Sequence, residues 1–158
     1  MSVEVTVDKT REILAAIAAA GKQHVLIGIP ATENGRNDGS IGNATLGYLH
    51  ENGSAANNVP ARPFLNPGVK DIADKAADVF EIATKEMFDD PAAVTKALNR
   101  VGLLGQASVK NRIVSQVGFA PLMAATIRAR ERKGFRGTKA LIRTGQLLNS
   151  ITYVIRDR

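Results

Sequence analysis

The chain has 158 residues, 44% of them apolar and only 4% aromatic, with no cysteine and a formal net charge of +6. That length supports one domain with a largely aliphatic core. The missing thiols exclude disulfides, thiolate catalysis and cysteine-based zinc sites. No apolar run approaches the roughly 18–20 residues of a membrane helix. The opening Met1-Ser2-Val3-Glu4-Val5 lacks the basic flank and apolar run of a secretory signal, so a soluble, cytosol-made protein is expected.

In chain order, Asp8 to Ala20 reads as a helix. Asp8 or Thr10 is its cap, Ile13, Leu14, Ile17 and Ala18 form its apolar stripe, and Gly21 is its stop. His24 to Ile29 is a short β-branched run closed by Pro30, expected as a strand buried on both faces or at a sheet centre. The loop 31–40 (ATENGRNDGS) carries the turn pairs Asn34-Gly35 and Asp38-Gly39 and is flexible by composition. It lacks the Lys-Ser/Thr ending of a phosphate cradle. Ile41 to Glu51 reads as a short helix ended by Asn52-Gly53, with a further polar loop at Ser54 to Asn58.

Val59 to Pro67 holds three prolines, Pro60, Pro63 and Pro67. Each fixes its own φ and pushes the preceding residue toward extended geometry, so this segment is a stiff arm. Asn66-Pro67 supplies a cap and a first-turn proline for a helix from Asn66 to Phe88. Val69, Ile72, Ala76, Val79, Phe80, Ala83 and Met87 keep helical spacing along it. Asp90-Pro91 starts a second helix running to about Val117, through Val94, Leu98, Val101, Leu104, Val109 and Ile113. Gly102 and Gly105 in its middle permit a bend or a close approach. Thr126 to Lys133 reads as a short basic helix, 134–139 (GFRGTK) as a flexible loop, and Thr144-Gly145 as the opening of one more helical turn. Ile151 to Arg156 reads as a strand that pairs with Val25–Ile29. The expected fold class is α+β: a small antiparallel or mixed sheet packed with a long helical hairpin, plus extended loops and an arm, in one domain over 1–158.

Charge is unevenly distributed. Residues 1–99 carry 9 Lys/Arg against 13 Asp/Glu, whereas residues 100–158 carry 12 against 2. The densest part is Arg128, Arg130, Arg132, Lys133, Arg136, Lys139 and Arg143, interrupted only by Glu131. Such a patch suits phosphates or an acidic face of a neighbour. With only Phe135 interleaved, base stacking is unsupported. No catalytic set emerges. His24 and His50 lack metal-ligand spacing, Asp74 and Asp78 lie beside lysines on a solvated face, and no Gly-x-Ser-x-Gly context exists. Neither a cofactor nor a metal is expected.

Three blocks then matter together: Leu46-Gly47-Tyr48-Leu49-His50-Glu51-Asn52-Gly53, Val59-Pro60-Ala61-Arg62-Pro63-Phe64-Leu65, and Leu141-Ile142-Arg143-Thr144-Gly145-Gln146-Leu147-Leu148-Asn149-Ser150-Ile151-Thr152-Tyr153-Val154, the last preceded by Pro121-Leu122 and Thr126. Their order and spacing, over about Ile41 to Val154, resemble the tailed-phage proteins variously called virion morphogenesis, tail-completion or neck proteins, of the Mu-like and HK97 tail-completion type. The chain departs from that pattern at Gly47-Tyr48, where a single small residue is usual, and at Asn52, where an aromatic is frequent. The resemblance implies a non-enzymatic structural protein of the virion, made in the bacterial cytoplasm and placed at the head–tail junction. It implies a homo-oligomeric ring, a hexamer or a multiple, between a connector or adaptor and the tail tube or tail terminator. Non-specific contact with channel DNA is compatible with it, and a membrane is not expected. The candidate subunit or partner interface is Arg62, Phe64, Leu65, His50 and Glu51, docking within the subunit or across to the next. The basic patch is the second candidate, facing a partner or DNA; the alternative to the virion role is a small basic nucleic-acid-binding protein using the same Arg128–Arg143 cluster.

Overall fold

The computed structural model describes residue 8 and residues 10–37 and 41–157. Thr10–Ala20 forms α1, Gln23–Gly28 β1, Asn43–Asn52 α2, Leu65–Lys70 α3, Ala73–Glu86 α4, Ala93–Ser115 α5, Ala124–Arg132 α6, Gln146–Ser150 α7 and Thr152–Asp157 β2. The fold is α+β, as expected, with a two-stranded antiparallel sheet and a helical hairpin made by α4 and α5.

Helix α5 is the axis. At 23 residues it runs about 34 Å, and α1, α3, α4 and both strands pack against it. Its apolar face serves two clusters. Toward α4, Ile72, Val79, Ala83 and Met87 close on Ala93, Ala97 and Val101. Nearer its C-terminal end, Val109 and Ile113 enclose Phe64 and Ile151. The Asp8 and Asp90 side chains accept hydrogen bonds from the N–H groups of Thr10 and Ala92, both at 2.9 Å, at the starts of α1 and α5.

The β1–β2 pair lies across the middle of α5, with Ile27 opposite Tyr153 and Val25 opposite Ile155. Gly102 and Gly105 are the reason it lies so close. A Cβ on Gly102 would collide with the Tyr153 ring, and one on Gly105 with Ile27 Cδ1. The same device recurs where α3 crosses α5: a Cβ on Gly68 would stand 2.8 Å from the Val109 Cα. Of the two readings of the α5 glycines, close approach is the one realised.

Two expectations are corrected. The strand at His24 to Ile29 is not buried on both faces. It has one hydrogen-bonded neighbour among the described strands, and Leu26 on the face away from α5 is 45% exposed. The helix expected over Asn66 to Phe88 is two helices. The backbone leaves helical geometry at Ile72 (φ −104°, ψ 1°), where Asp71 turns to take a two-pronged hydrogen bond from Arg112 of α5, at 2.7 and 2.8 Å. That bond holds the Asp71 carboxyl below its usual pKa. Helical periodicity continues through the break, so the hydrophobic pattern cannot reveal it.

Filling these notches tests the packing. Gly102→Ala and Gly68→Ala should each lower unfolding free energy by about 1–3 kcal/mol, since a ring or a backbone must retreat. Gly105→Ala should cost less, because Ile27 Cδ1 can change rotamer, and Gly28→Ala, with open space around it, least of all. Urea unfolding of the four variants checks this order.

Candidate functional site

The proline arm is held at three points, all within the chain. Its first anchor is Glu51 in the last turn of α2. The Glu51 carboxylate accepts hydrogen bonds from the N–H groups of Phe64 (2.7 Å), Leu65 (2.8 Å) and Asn66 (2.9 Å). These belong to the first turn of α3, whose N–H groups have no partners inside the helix and favour an anion. The expected cap, Asn66, is therefore displaced by a carboxylate from a different helix. No local sequence rule points to it, because Glu51 lies 13 positions from the nearest group it caps.

The second anchor is Arg62, only 5% exposed. Its N–H donates to the His50 carbonyl at 2.7 Å. Its guanidinium donates to the carbonyls of Ala120 (2.8 Å) and Pro121 (3.3 Å), in the segment that leads to α6. Burial lowers the Arg62 pKa. Beside it, burial first and the Arg62 charge second push the His50 pKa below its ordinary value. The third anchor is Phe64, 2% exposed, against Val109, Ile113 and Ile151. So of the five candidate interface residues, Arg62 and Phe64 dock inside their own chain, Glu51 fastens the arm, and His50 and Leu65 are half-buried around it. Gly47 of α2 lies beside this ring: a Cβ there would be in ordinary contact with Phe64 Cζ (3.6 Å) and Leu147 Cδ1 (3.7 Å) and tight only against Ile29 Cδ1 (3.1 Å).

The loops beside the arm are tied down as well. Buried Asn43 donates to the carbonyls of Glu33 and Gly35, both at 3.0 Å, and the Asn37 N–H donates to Gln146 Oε1 at 3.0 Å. The part of loop 31–40 within the described residues is thus fastened to α2 and α7; residues 38–40 lie outside them. Arg130, expected in a phosphate- or partner-binding patch, instead holds loop 134–139. It donates to the carbonyls of Gly137 (3.1 Å) and Lys139 (2.8 Å). Lys139 itself donates to the Val114 carbonyl at 2.7 Å, and Gln116 exchanges two hydrogen bonds with Ala140. Arg143 stands over the Phe135 ring at 5.5 Å. Arg128, Arg132, Lys133 and Arg136 remain exposed.

Between α2, the arm and α6 lies a cleft of about 600 Å³. Leu46, Leu122 and Leu141 give it an apolar floor, and five cations reach it: Arg36, Arg62, Arg130, Lys133 and Arg143. Among the described residues no carboxylate lines it. Leu141 holds a left-handed backbone (φ 62°) in this wall, a conformation that costs a non-glycine residue and persists only where neighbours impose it. Here Ala140, clamped by Gln116, imposes it. Sequence reasoning found the arm, the basic run and the final block separately. It missed that they share a cleft, since their contacts span 58 and more positions.

Comparison of the chain with protein-family models, with curated proteins and with solved structures gives no match.

Three variants probe the anchoring. Phe64→Ala should cost about 3–5 kcal/mol of stability, and Glu51→Ala about 1–3 kcal/mol through the lost charge-assisted bonds, both read by chemical denaturation. His50 takes up a proton more readily unfolded than folded, so stability should decline as pH falls through about 6.5 toward the lower folded value. His50→Gln should flatten that part of the stability–pH curve, measured as melting temperature between about pH 7.5 and 5.5.

Proposed function

We propose that the chain is a non-enzymatic structural protein of a tailed-phage virion, a tail-completion or neck subunit made in the bacterial cytoplasm. It assembles as a ring, a hexamer or a multiple of one, that joins the tail to the head connector. One observation carries this reading: the three sequence blocks of the resemblance form one physical unit. Glu51 of the first block caps the Phe64-Leu65-Asn66 turn of the second. Phe64 of the second packs on Ile151 of the third. Gly47 of the first faces Leu147 of the third. Blocks that meet in this way are what a fold-defining family pattern consists of, as opposed to a chance run of similar words.

The surface supports a subunit of an assembly. Exposed large apolar side chains include Tyr48, Phe88, Leu103, Val117 and Met123. In an assembly, contact with neighbouring subunits would cover such side chains.

The mass of the purified protein, alone and mixed with the connector and tail-tube proteins of its phage, should show a closed oligomer. Particles made without the protein should show unjoined or incomplete tails by electron microscopy. A strict monomer in every mixture, together with normal particles in its absence, overturns the proposal.

A second reading rests on Arg128, Arg132 and Arg136, exposed and without a hydrogen-bond or ion-pair partner among the described residues. It predicts duplex DNA binding whose logarithm falls with log salt at a slope of about −0.9 per neutralised phosphate. Filter binding at low and moderate salt measures it; no binding at low salt removes this reading.

A further inference from the structure

We infer that the cation-lined cleft receives the α4–α5 turn of a second copy of this chain, with Phe88 as the inserted side chain. The inference rests on the ring reading above and names the contact that builds the ring.

The two surfaces are complementary in charge and in apolarity. Among the described residues the cleft is lined by five cations and no carboxylate around an apolar floor; Arg36, Arg62, Arg130 and Arg143 are engaged within the chain, Lys133 is the exposed one, and Met123 in the same lining is 67% exposed. The turn presents Phe88, 57% exposed, followed directly by Asp89 and Asp90. From 73 to 90 the chain holds six acidic side chains against two basic ones. Part of that charge is satisfied locally, by Lys85 on Glu81 and Lys96 on Asp90. Asp89 has no ion-pair partner among the described residues, and neither does Lys133 at the cleft. The cleft volume of about 600 Å³ is ample for an aromatic ring and its flanking backbone.

Position decides between self-docking and docking on a neighbour. The turn precedes the first residue of α5. The cleft wall is fastened to the last turn of α5, through Lys139 to Val114 and through Gln116 to Ala140. The two surfaces therefore stand at opposite ends of a helix about 34 Å long. One chain cannot bring its own turn to its own cleft. Two different complementary patches at opposite ends make a head-to-tail contact, and such contacts repeat into rings or filaments. A nucleic acid is the weaker occupant: it has no use for an apolar floor, and the ring available for stacking, Phe135, is covered by Arg143.

The chain has no native cysteine, so covalent trapping is clean. Phe88 and Met123 are both largely exposed, and their replacement leaves the core intact. Under oxidation the full-length double variant Phe88→Cys/Met123→Cys should give a ladder of covalent oligomers on a non-reducing gel. An equimolar mixture of the two single variants should stop at covalent dimers, and neither single variant alone should cross-link. Phe88→Ala should weaken self-association about thirtyfold by sedimentation with an unchanged melting temperature. Lys133→Glu should also weaken it, and adding Asp89→Lys should restore it. No ladder from the double variant, covalent dimers from Phe88→Cys alone, or unchanged association in Phe88→Ala overturns the inference. So does loss of duplex DNA binding in Lys133→Glu with self-association intact. If the wild type still forms a closed oligomer in those cases, the ring reading stands and only this contact falls; a wild type that stays monomeric with its connector and tail-tube partners overturns both.

Discussion

Three consecutive N–H groups aimed at one carboxylate hold this structure in register. A proline-rich arm cannot make a regular ladder of its own, because its prolines lack donors and its extended residues point their N–H groups outward. The arm becomes ordered by borrowing an acceptor, Glu51, from the helix before it. Once that carboxylate is engaged, Phe64 is directed down into the α5 face and Arg62 toward the segment that starts α6. The helical hairpin, the arm and the final block are thereby fixed relative to one another by side chains from fewer than twenty consecutive positions.

Much of the architecture is legible from the residues alone. Both strands, the hairpin of long helices and the caps at Asp8 and Asp90 follow from periodicity and capping chemistry, which act over a few residues. What stays hidden depends on distant partners. The break at Ile72 coincides with an Arg112–Asp71 pair 41 positions apart, and the first turn of α3 is capped by a carboxylate 13 and more positions earlier in the chain, outside any local capping rule. The arm invited two readings of Phe64, within the chain or across to a neighbour, and the deciding fact is its burial against Val109, Ile113 and Ile151, partners that lie 45 and more positions further along the chain.

The basic segment shows the same limit in its charges. Seven cations in a row of loops and one short helix look like a single surface. In space they divide. Arg130 and Lys139 staple a loop with their hydrogen bonds, Arg143 rests on an aromatic ring, and Arg128, Arg132, Lys133 and Arg136 are exposed. Counting charge along the chain measures how much is present, and the hydrogen-bond partners determine how much is left for anything else.

The glycine notches on α5 have a mechanical consequence. A smooth helix lets a packed pair of strands slide along it, because each ridge is much like the next. Here Tyr153 and Ile27 are seated in gaps at Gly102 and Gly105, and sliding along the axis would carry both out of those gaps. The strand pair is keyed to the helix like a cog to a shaft. The strand pair and α5 therefore share one register, and displacing either along the axis means unseating both side chains at once.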